Sequence, residues 1–366
     1  MAPFTRRSFL AGSTTAGIAA AISTNPGARR RDLVWTDVVD WRIEGRAFAE
    51  RKAPFDRLPA AAEGVVREDV WKLSRDSAGM AVRFRSAATE LHVRYRLTRN
   101  ELAMPHMPAT GVSGGDLYAR DGQGRWKWVM VTKPASQTVE TVVVSALAPG
   151  LREYAAYLPL YNGVESLMLG APEGSALTPL EPPRGKPIAI YGTSITHGAC
   201  ASRPGMAWPA ILGRKLAREV INLGFSGNGR MEPEVGRFLQ QIDAGAFVID
   251  CLPNMAAANL VAERVGPLVQ QLRERHPTTP LLFVEDRTFG NAWIDPSVQA
   301  LHAARRKALR EAIAALRSTD HNLHLLGGDA LLGTDSEGTT DGSHPNDLGM
   351  MRQAEAVAAV LQPFLT

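Results

Sequence analysis

Cysteine is scarce in this sequence, and long apolar runs are absent from it. Two cysteines among 366 residues cannot form a disulfide framework. No uninterrupted apolar stretch is long enough to span a membrane. The sequence also lacks a stripe of lysine and arginine with interleaved aromatic residues, so we expect no nucleic-acid partner.

Nucleotide-binding loops and a metal-ligand set are missing as well. The segment from Gly192 to Gly198 lacks the Lys-Ser/Thr pair of a P-loop, and the glycines from Gly224 to Gly229 do not have the spacing of a dinucleotide fingerprint. His321 and His324 lack a third ligand near them in the sequence, so we assign no metal site.

The composition is that of a soluble globular protein. Apolar residues make up 45% of the chain and charged residues 21%, which argues against disorder, and the length favours two domains. The formal net charge of +4 overstates how basic the folded part is. Residues 1–25 contain Arg6 and Arg7 but no acidic residue, so their removal takes away two positive charges and leaves +2.

The first residues resemble an export signal. Arg6 and Arg7 precede a weakly apolar run from Ala11 to Ile22, as in twin-arginine signal peptides. The run is too short and too rich in Gly, Ser and Thr to span a membrane. We therefore expect residues 1–25 to be a signal peptide and the mature protein to be periplasmic or secreted. A disordered basic tail is the alternative interpretation.

The first half of the chain has the pattern of short β-strands. Apolar and polar residues alternate with a period of two, and the turn sequence Asp121–Gly124 indicates a hairpin. The predicted strands include Met80–Arg85, Leu91–Leu97, Leu117–Ala119, Trp126–Met130 and Thr138–Val144. We predict an all-β domain of the jelly-roll or sandwich type over residues 33–180.

A proline-rich segment, residues 179–187, precedes a region with a different pattern. Short apolar runs alternate there with longer amphipathic ones, which predicts an α/β domain with a parallel sheet over residues 186–366. The predicted strands are Ile188–Tyr191, Val220–Leu223, Ala246–Leu252, Pro280–Val284 and Leu323–Leu326. The predicted helices are Trp208–Arg218, Glu232–Ile242, Ala257–Arg275, Ser297–Leu316 and Asp347–Leu361, the last of them capped by Asn346 or Asp347.

Four segments with chemically active residues lie on the loops after these strands or beside them, at the sheet edge where sites of such folds collect. They are Gly192–Gly198, Asn222–Gly229, Leu252–Met255 and Asp341–His344. A serine hydroxyl is a poor nucleophile until a histidine takes its proton. Ser194 follows the first strand, and Asp341 precedes His344 by three residues. This order predicts a serine nucleophile and an acid–base pair on one late loop.

The four segments, in this order, resemble the SGNH (GDSL-type) hydrolase family. The resemblance covers nearly all of the second half and implies a three-layer, flavodoxin-like α/β domain. By the same resemblance, Ser194 is the nucleophile, His344 the base and Asp341 the carboxylate that orients the base. The backbone N–H groups of Ser194 and Gly227 and the side-chain amide of Asn254 form the oxyanion hole. The resemblance implies no cofactor, and the preceding β domain is similar to the jelly-roll companions of some carbohydrate esterases in this family.

The sequence departs from the family pattern in two places. Thr193 stands where the family has an aspartate, and Leu252 and Met255 stand where a glycine and an aspartate flank the asparagine. We expect these changes to affect the hydrogen bonding around Ser194. We also expect Pro253 and Met255 to make the adjacent pocket wall more apolar.

Each of these residues taken singly also has a structural interpretation. Ser194 fits a Gly-Thr-Ser turn, and Gly227 and Gly229 fit ordinary turn glycines. Asn254 fits a helix N-cap, and His344 fits a loop histidine.

Other residues near the predicted site have open roles. His197 fits a residue at the rim of the site, or in contact with substrate, better than a second base. Arg203 and Arg230 are candidates for binding an anionic substrate. Glu285–Arg287 could contact substrate or form salt bridges. The loop Met104–Pro108 could cover the site as a lid or form a plain interdomain contact.

The two cysteines, Cys200 and Cys251, lie beyond or at the ends of predicted strands. A single disulfide formed after export and two buried free thiols both fit their positions.

The sequence as a whole predicts a serine esterase that forms an acyl-enzyme on Ser194. A short acyl group such as acetyl, carried by a carbohydrate or a similar alcohol, is the expected substrate on family analogy alone. An acyltransferase with the same triad is the first alternative. The second is a non-catalytic glycan-binding protein with a degenerate hydrolase domain.

Overall fold

The computed structural model describes residues 32–329 and 331–365. The expected signal peptide, residues 1–25, lies outside the described residues. Among the helices of the described part, none has the length and apolar character that a membrane span requires.

Residues 33–179 fold into two antiparallel sheets, in keeping with the period-two alternation of their sequence. The strands are β1 (Leu33–Asp37), β2 (Ile43–Glu44), β3 (Ala81–Ser86), β4 (Leu91–Leu97), β5 (Asp116–Arg120), β6 (Trp126–Val131), β7 (Thr138–Val144), β8 (Arg152–Tyr157), β9 (Val164–Pro172) and β10 (Thr178–Pro179). One sheet has the order β1-β9-β4-β7. The other has the order β10-β3-β8-β5-β6, with β2 paired to β3. Two short helices, α1 (Glu68–Ser74) and α2 (Ala109–Val112), lie in connections between strands.

The two antiparallel sheets share one hydrophobic core, which makes this half a β-sandwich. Tyr95 and Leu167 contribute to the core from the first sheet, and Phe84 and Tyr154 contribute from the second. Phe84 and Tyr154 are paired across β3 and β8, and their rings stack with centroids 5.1 Å apart.

Residues 188–365 contain the predicted parallel sheet. Its strands are β11 (Ile188–Gly192), β12 (Val220–Gly224), β13 (Ala246–Asp250), β14 (Leu281–Val284) and β15 (Leu323–Leu326). The helices are α3 (Ser194–His197), α4 (Trp208–Leu216), α5 (Pro233–Leu239), α6 (Ala258–Arg273), α7 (Pro296–Arg317) and α8 (Asp347–Leu361). Every pairing in the sheet is parallel, and the order β12-β11-β13-β14-β15 is that of flavodoxin-like folds.

Helices cover both faces of this sheet because alternate residues of a strand point to opposite sides. Ala189 and Tyr191 of β11 belong to the core that α5, α6 and α7 complete. Ile188 and Ile190 belong to the core that α4 and α8 complete. The expected three-layer arrangement is confirmed.

The strand order places a crevice beside β11. The chain continues from β11 to β12 on one side and later to β13 on the other, and a ligand site is expected beyond the carboxyl ends of strands at such a point. Ser194 follows β11, Gly227 follows β12, and Asn254 follows β13 in a short 3-10 turn.

The last helix begins where the sequence predicts. Of the two predicted caps, Asn346 is the one observed, because its side chain accepts a hydrogen bond from the backbone N–H of Gly349 at 3.1 Å. Asp347 instead accepts hydrogen bonds from the backbone N–H of Ser202 at 2.9 Å and from its hydroxyl at 2.5 Å. This carboxylate therefore ties the start of α8 to the loop that follows α3.

Buried polar contacts join the sandwich to the α/β half. Arg57, which precedes α1, is 2% exposed and donates to the carbonyl oxygens of Asn222 at 3.2 Å and Gly224 at 2.6 Å. The hydroxyl of Tyr161 donates to the carbonyl oxygen of Ser194 at 3.3 Å. The described residues from Leu33 onward accordingly form one compact unit.

Candidate active site

The predicted nucleophile lies at a tight turn from strand to helix. β11 ends at Gly192, and α3 begins at Ser194, which is mostly buried. The Thr193 hydroxyl caps α3 by accepting a hydrogen bond from the backbone N–H of Ile195 at 3.3 Å. The threonine that replaces the usual aspartate thus still supplies an acceptor to this turn.

A continuous hydrogen-bond chain joins the three predicted triad residues. Ser194 Oγ lies 2.9 Å from His344 Nε2, and His344 Nδ1 lies 2.7 Å from Asp341 Oδ2. The carboxylate favours the tautomer with the proton on Nδ1, which leaves Nε2 free to accept the proton of the serine hydroxyl. The structure thus places together residues that are 150 positions apart in the sequence.

The Asp341 carboxylate is held by its own loop. Its Oδ1 accepts hydrogen bonds from the backbone N–H groups of Ser343 at 3.0 Å and His344 at 2.8 Å. Partial burial alone would raise the pKa of Asp341. The hydrogen bonds from the backbone and imidazole of His344 and from the backbone of Ser343 outweigh burial, and they lower the pKa below its ordinary value. The carboxylate is therefore ionised at neutral pH and can stabilise an imidazolium.

The loop after β12 connects the nucleophile turn with Asn254. Gly229 has φ +76°, and it packs so closely on Gly192 that a Cβ at this position would lie 2.0 Å from the Gly192 carbonyl oxygen. Two residues earlier, Gly227 also has a positive φ, +66°. The Asn254 amide donates a hydrogen bond to the carbonyl oxygen of Asn228. Gly227 therefore lies on a loop that contacts the nucleophile turn through Gly229 and contacts Asn254 through Asn228.

Each of the three predicted oxyanion donors has an N–H group without a protein acceptor in the described part of the chain. Within residues 32–329 and 331–365, the backbone N–H groups of Ser194 and Gly227 have no hydrogen-bond acceptor. The Asn254 amide has two N–H bonds and uses one of them on Asn228. Ala257, and not Asn254, occupies the N-cap position of α6, so the helix-cap interpretation of Asn254 is wrong.

Met255 does not extend the pocket wall as the sequence suggested. It is fully buried in the core that α5, α6 and α7 share, whereas Pro253 is half-buried. The departure from the family pattern at position 255 therefore adds to core packing.

A buried ionic network lies beneath the nucleophile helix. Asp250, at the end of β13, accepts hydrogen bonds from the Thr196 hydroxyl at 2.8 Å and from the Arg287 guanidinium at 2.9 and 2.8 Å. Arg287 also donates to the side-chain oxygen of Gln353 in α8 at 2.8 Å. Burial raises the pKa of Asp250, and the charge of Arg287 opposes that shift. The network ties α3, β13 and α8 together below Ser194.

His197 is part of the protein interior, so the expectation that it lies at the rim is wrong. It is fully buried, and its ring stacks on that of Tyr161 with centroids 4.1 Å apart. Its Nε2 lies 2.7 Å from the carbonyl oxygen of Leu160 and 3.5 Å from the Asp76 carboxylate. Burial, followed by the charge of Arg57, lowers the pKa of His197 well below its ordinary value.

Arg203 is occupied by a partner from the sandwich. Its guanidinium donates to Asp116 at 2.8 Å and to the Tyr118 hydroxyl at 2.6 Å, and Asp116 also accepts from the backbone N–H of Gly205 at 2.8 Å. Asp116 therefore fixes the segment between α3 and α4. This pairing assigns Arg203 a structural role in place of the suggested anion site.

The other charged candidates also have protein partners. The Arg230 guanidinium donates to the Gly227 carbonyl oxygen at 2.9 Å, on the loop with the predicted oxyanion donor. Glu285 and Asp286 are fully buried and pair with arginines of α7, so the salt-bridge interpretation applies to them. Arg287 belongs to the network below Ser194.

The two cysteines are free and buried. The Cys200 sulfur, a carboxylate oxygen of Asp341 and a ring nitrogen of His344 lie within 4.8 Å of one another, and they are the one potential metal-ligand trio in the described part of the chain. Asp341 and His344 already take part in the hydrogen bonds that lead to Ser194. Burial raises the pKa of the Cys200 thiol to about 11, which keeps it in the neutral form.

The loop Met104–Pro108 reaches from the sandwich to His344, the predicted catalytic base. The ring of His106 lies beside that of His344, with centroids 6.0 Å apart. The sandwich therefore contributes a side chain to the immediate surroundings of the triad.

Several residues that shape this site have no distinctive sequence pattern. Asn222 of β12 donates to the Thr196 carbonyl oxygen at 2.8 Å and accepts from the Gly224 backbone N–H at 2.9 Å, which connects α3 to β12. The only signal for Asn222 and Asp250 is a polar residue within or at the end of an apolar strand. Nothing in the sequence around Arg57 indicates its contact with β12.

Comparisons with known proteins give matches to both halves. The model of the GDSL-like lipase/acylhydrolase family matches residues 185–362, and a model of the N-terminus of SGNH hydrolase-type esterases, named GxDLY, matches residues 33–177. Residues 114–118 read Gly-Gly-Asp-Leu-Tyr and carry the motif of that name, with Asp116 as its aspartate. A comparison with curated protein sequences finds no match.

Solved structures resemble the chain over both halves. A GDSL-like lipase from Bacteroides ovatus ATCC 8483 is 33% identical with a TM-score of 0.86, and the match covers 91% of this chain and 98% of that one. The salicylyl-acyltransferase SsfX3 from a tetracycline biosynthetic pathway is 20% identical with a TM-score of 0.71, covering 93% and 100%. A family two carbohydrate esterase from Clostridium thermocellum, in complex with cellohexaose, is 15% identical with a TM-score of 0.55, covering 79% and 95%. At 20% and 15% identity, the latter two matches show that these proteins share the fold of this chain.

Proposed function

The chain belongs to the GDSL-like lipase/acylhydrolase family and is an SGNH-type hydrolase, and from this premise we propose that it cleaves carboxylic esters through an acyl-enzyme on Ser194. The observation that carries the proposal is the hydrogen-bond chain from Ser194 through His344 to Asp341, at 2.9 and 2.7 Å. These two hydrogen bonds connect a nucleophile, a base and an orienting carboxylate.

Acylation begins when Ser194 Oγ attacks the carbonyl carbon of the ester while His344 Nε2 takes the hydroxyl proton. The carbonyl oxygen becomes an oxyanion, which binds to the N–H groups of Ser194, Gly227 and Asn254. As the tetrahedral intermediate collapses, the bond to the leaving oxygen breaks and Nε2 returns its proton to that oxygen. The alcohol departs, and the acyl group stays on Oγ.

Deacylation repeats these steps with water. His344 Nε2 takes a proton from the water as its oxygen attacks the acyl carbon, and it then gives the proton to Ser194 Oγ as the acyl–enzyme bond breaks. Asp341 remains ionised and stabilises the imidazolium in both halves of the reaction.

We further propose a short acyl group, such as acetyl, carried by a carbohydrate or a similar alcohol. This proposal is supported by the likeness in fold, over 79% of this chain, to a carbohydrate esterase whose structure contains cellohexaose. The likeness is one of fold, so the substrate needs a direct test. A screen of acetylated sugars and aryl esters with acyl chains of increasing length provides it.

The nucleophile is tested by Ser194→Ala. Removing the hydroxyl eliminates the acyl-enzyme, so we expect the turnover of 4-nitrophenyl acetate to fall by at least about 10⁴-fold. Circular dichroism and the melting temperature should stay close to those of the wild type. Ser343→Ala is the matched control, because it removes a nearby hydroxyl and keeps the backbone N–H that holds Asp341. Wild-type turnover in Ser194→Ala would refute the assignment.

Acyl transfer to an alcohol instead of water is the second candidate function. It is favoured by the fold shared with a salicylyl-acyltransferase, with a TM-score of 0.71. The same residues perform both reactions, and the occupant of the deacylation position decides between them. Product analysis with and without added sugar acceptors distinguishes the two, because a transferase forms the new ester at the expense of the free acid.

A further inference from the structure

The loop Met104–Pro108, which we call the His106 loop, is built to hold one exposed side chain beside the base. Met104 and Met107 exchange backbone hydrogen bonds of 2.9 and 3.0 Å, which close the loop into a tight turn with His106 at its tip. His106 is exposed, and its ring lies 6.0 Å from that of His344 at an interplanar angle of 32°.

The base of this loop is anchored in the interior. Met107 is 2% exposed and packs in the core that also contains Ala201. The following helix, α2, lies against the segment after the nucleophile helix. Thr110 Oγ1 donates to the Ser202 carbonyl oxygen at 2.7 Å, and a Cβ on Gly111 would lie 2.4 Å from the Ala201 carbonyl oxygen. The position of His106 is therefore set by packing before any ligand binds.

The chemistry fixes where the alcohol part of the substrate lies. The leaving oxygen takes its proton from His344 Nε2, so it has to come within hydrogen-bonding distance of that atom. Asp341 occupies Nδ1 on the other side of the ring. The alcohol therefore lies beside the His344 ring, and the exposed ring of His106 is the aromatic neighbour of that ring, with centroids 6.0 Å apart.

We propose that His106 binds the alcohol part of the substrate and that the His106 loop forms the leaving-group subsite. An imidazole offers a hydrogen-bond donor on one nitrogen and an acceptor on the other, and a hydroxyl group of a sugar or similar polyol forms a hydrogen bond with one of them. The subsite therefore takes an alcohol with further hydroxyl groups. This inference rests on the proposed ester hydrolysis and deepens it.

His106 contributes to binding of the alcohol part and does not replace His344 as the base. No carboxylate is hydrogen-bonded to His106 within the described residues, whereas Asp341 orients His344. Met107 and α2 supply the packing of the loop, so truncation of His106 at its exposed tip leaves that packing in place.

The test compares His106→Ala and His106→Gln with the wild type on two acetates that give the same acyl-enzyme. One is an acetylated methyl glucoside, and the other is 4-nitrophenyl acetate, whose leaving group carries no hydroxyl group beside the ester. Loss of one hydrogen bond should lower kcat/KM for the sugar acetate about 3- to 10-fold in His106→Ala, mainly through KM. The value for the aryl acetate should change less than about 2-fold. His106→Gln, which keeps a donor and an acceptor, should recover much of the loss.

His321→Ala is the matched control, since it removes an exposed histidine that precedes β15, at the opposite edge of the sheet. Equal losses on both acetates, or no loss on the sugar acetate, would overturn the inference and leave ester hydrolysis intact. A wild type that cleaves the aryl acetate but no sugar acetate would overturn the alcohol class assigned here. A wild type that cleaves neither ester would overturn the proposed function and this inference with it.

Discussion

Among single residues, Asp341 determines which nitrogen of His344 carries the proton. Its two oxygens accept three hydrogen bonds from positions 343 and 344, so the carboxylate cannot turn away from the imidazole without losing them. All of these hydrogen bonds favour the ionised form, in line with the lowered pKa of the group.

Asp341→Asn should therefore abolish most of the activity while leaving the loop in place. An asparagine amide that donates toward Nδ1 favours the tautomer with the proton on Nε2, and that tautomer cannot accept the serine proton. We expect kcat for 4-nitrophenyl acetate to fall by roughly 10³- to 10⁴-fold. Asp335→Asn, an exposed acid six residues earlier that pairs with Arg352, is the control. A kcat within a few-fold of the wild type in Asp341→Asn would show that the tautomer is set by another group.

The sequence predicts the residues whose chemistry is specific and misses those that act through packing. Ser194, Asp341 and His344 are found because each stands next to a recognisable strand end or loop. The closeness of His197 to Ser194 in the sequence favours a position at the rim, whereas the structure buries it. Its stacking partner, Tyr161, lies in the other half of the chain, and local pattern carries no signal for such a contact.

Among the secondary-structure elements, the loop after β12 depends on glycine for two separate reasons. Positive φ at Gly229 disfavours any residue with a Cβ, and the carbonyl oxygen of Gly192 occupies the space that the Cβ would need. The loop and the nucleophile turn are therefore in direct backbone contact.

Gly229→Ala separates these two reasons when it is compared with Gly64→Ala. Gly64 has nearly the same φ, +74°, but nothing lies within 4 Å of its would-be Cβ. We expect Gly64→Ala to cost about 1 kcal/mol of unfolding free energy through backbone strain alone. Gly229→Ala should cost a further 1–3 kcal/mol, approximately, because the turn has to move. It should also lower kcat by displacing Ser194 from His344.

Urea unfolding and esterase assays of both variants provide the measurement. Equal stability losses in the two glycine variants would contradict the close contact between the loop and the turn.

Elements with a strong period are predicted well, whereas short ones are not. The five parallel strands and their long helices follow from runs of apolar residues whose spacing matches their structure. The helices α1 and α2 span seven and four residues, and neither is long enough to show a helical period. Tertiary contacts, such as that of Thr110 with Ser202, hold α2 in place instead.

At the scale of the whole molecule, a cluster of ionisable side chains is enclosed between the two halves. Arg57, Asp76 and His197 are each almost completely buried, and they come from both sides of the boundary. Burial, followed by the charge of Arg57, lowers the pKa of His197, so the native protein holds this ring neutral.

The lowered pKa predicts how stability depends on pH. Below the ordinary histidine pKa of about 6.5 the unfolded chain binds a proton at this position and the native protein does not. Stability therefore falls as the pH decreases from about 6.5 toward the lower native pKa. In His197→Gln, where an amide can still donate to Leu160, the loss between pH 7 and pH 5 should be smaller by up to about 1.4 kcal/mol per pH unit.

Urea unfolding at several pH values measures this slope, and His321→Gln controls for the loss of an exposed histidine. An unchanged slope in His197→Gln would mean that the ring is protonated in the native state.

The contact of Arg57 with β12 bears on how such enzymes evolve. Its guanidinium reaches from the sandwich to the carbonyl oxygens of Asn222 and Gly224, at the end of β12 where the loop with Gly227 begins. A gene fusion that exchanged the sandwich for an unrelated module would leave these carbonyl groups without their buried donor. The two halves should consequently be inherited as a pair, and new specificities should arise by changes at the tip of the His106 loop rather than by shuffling of modules.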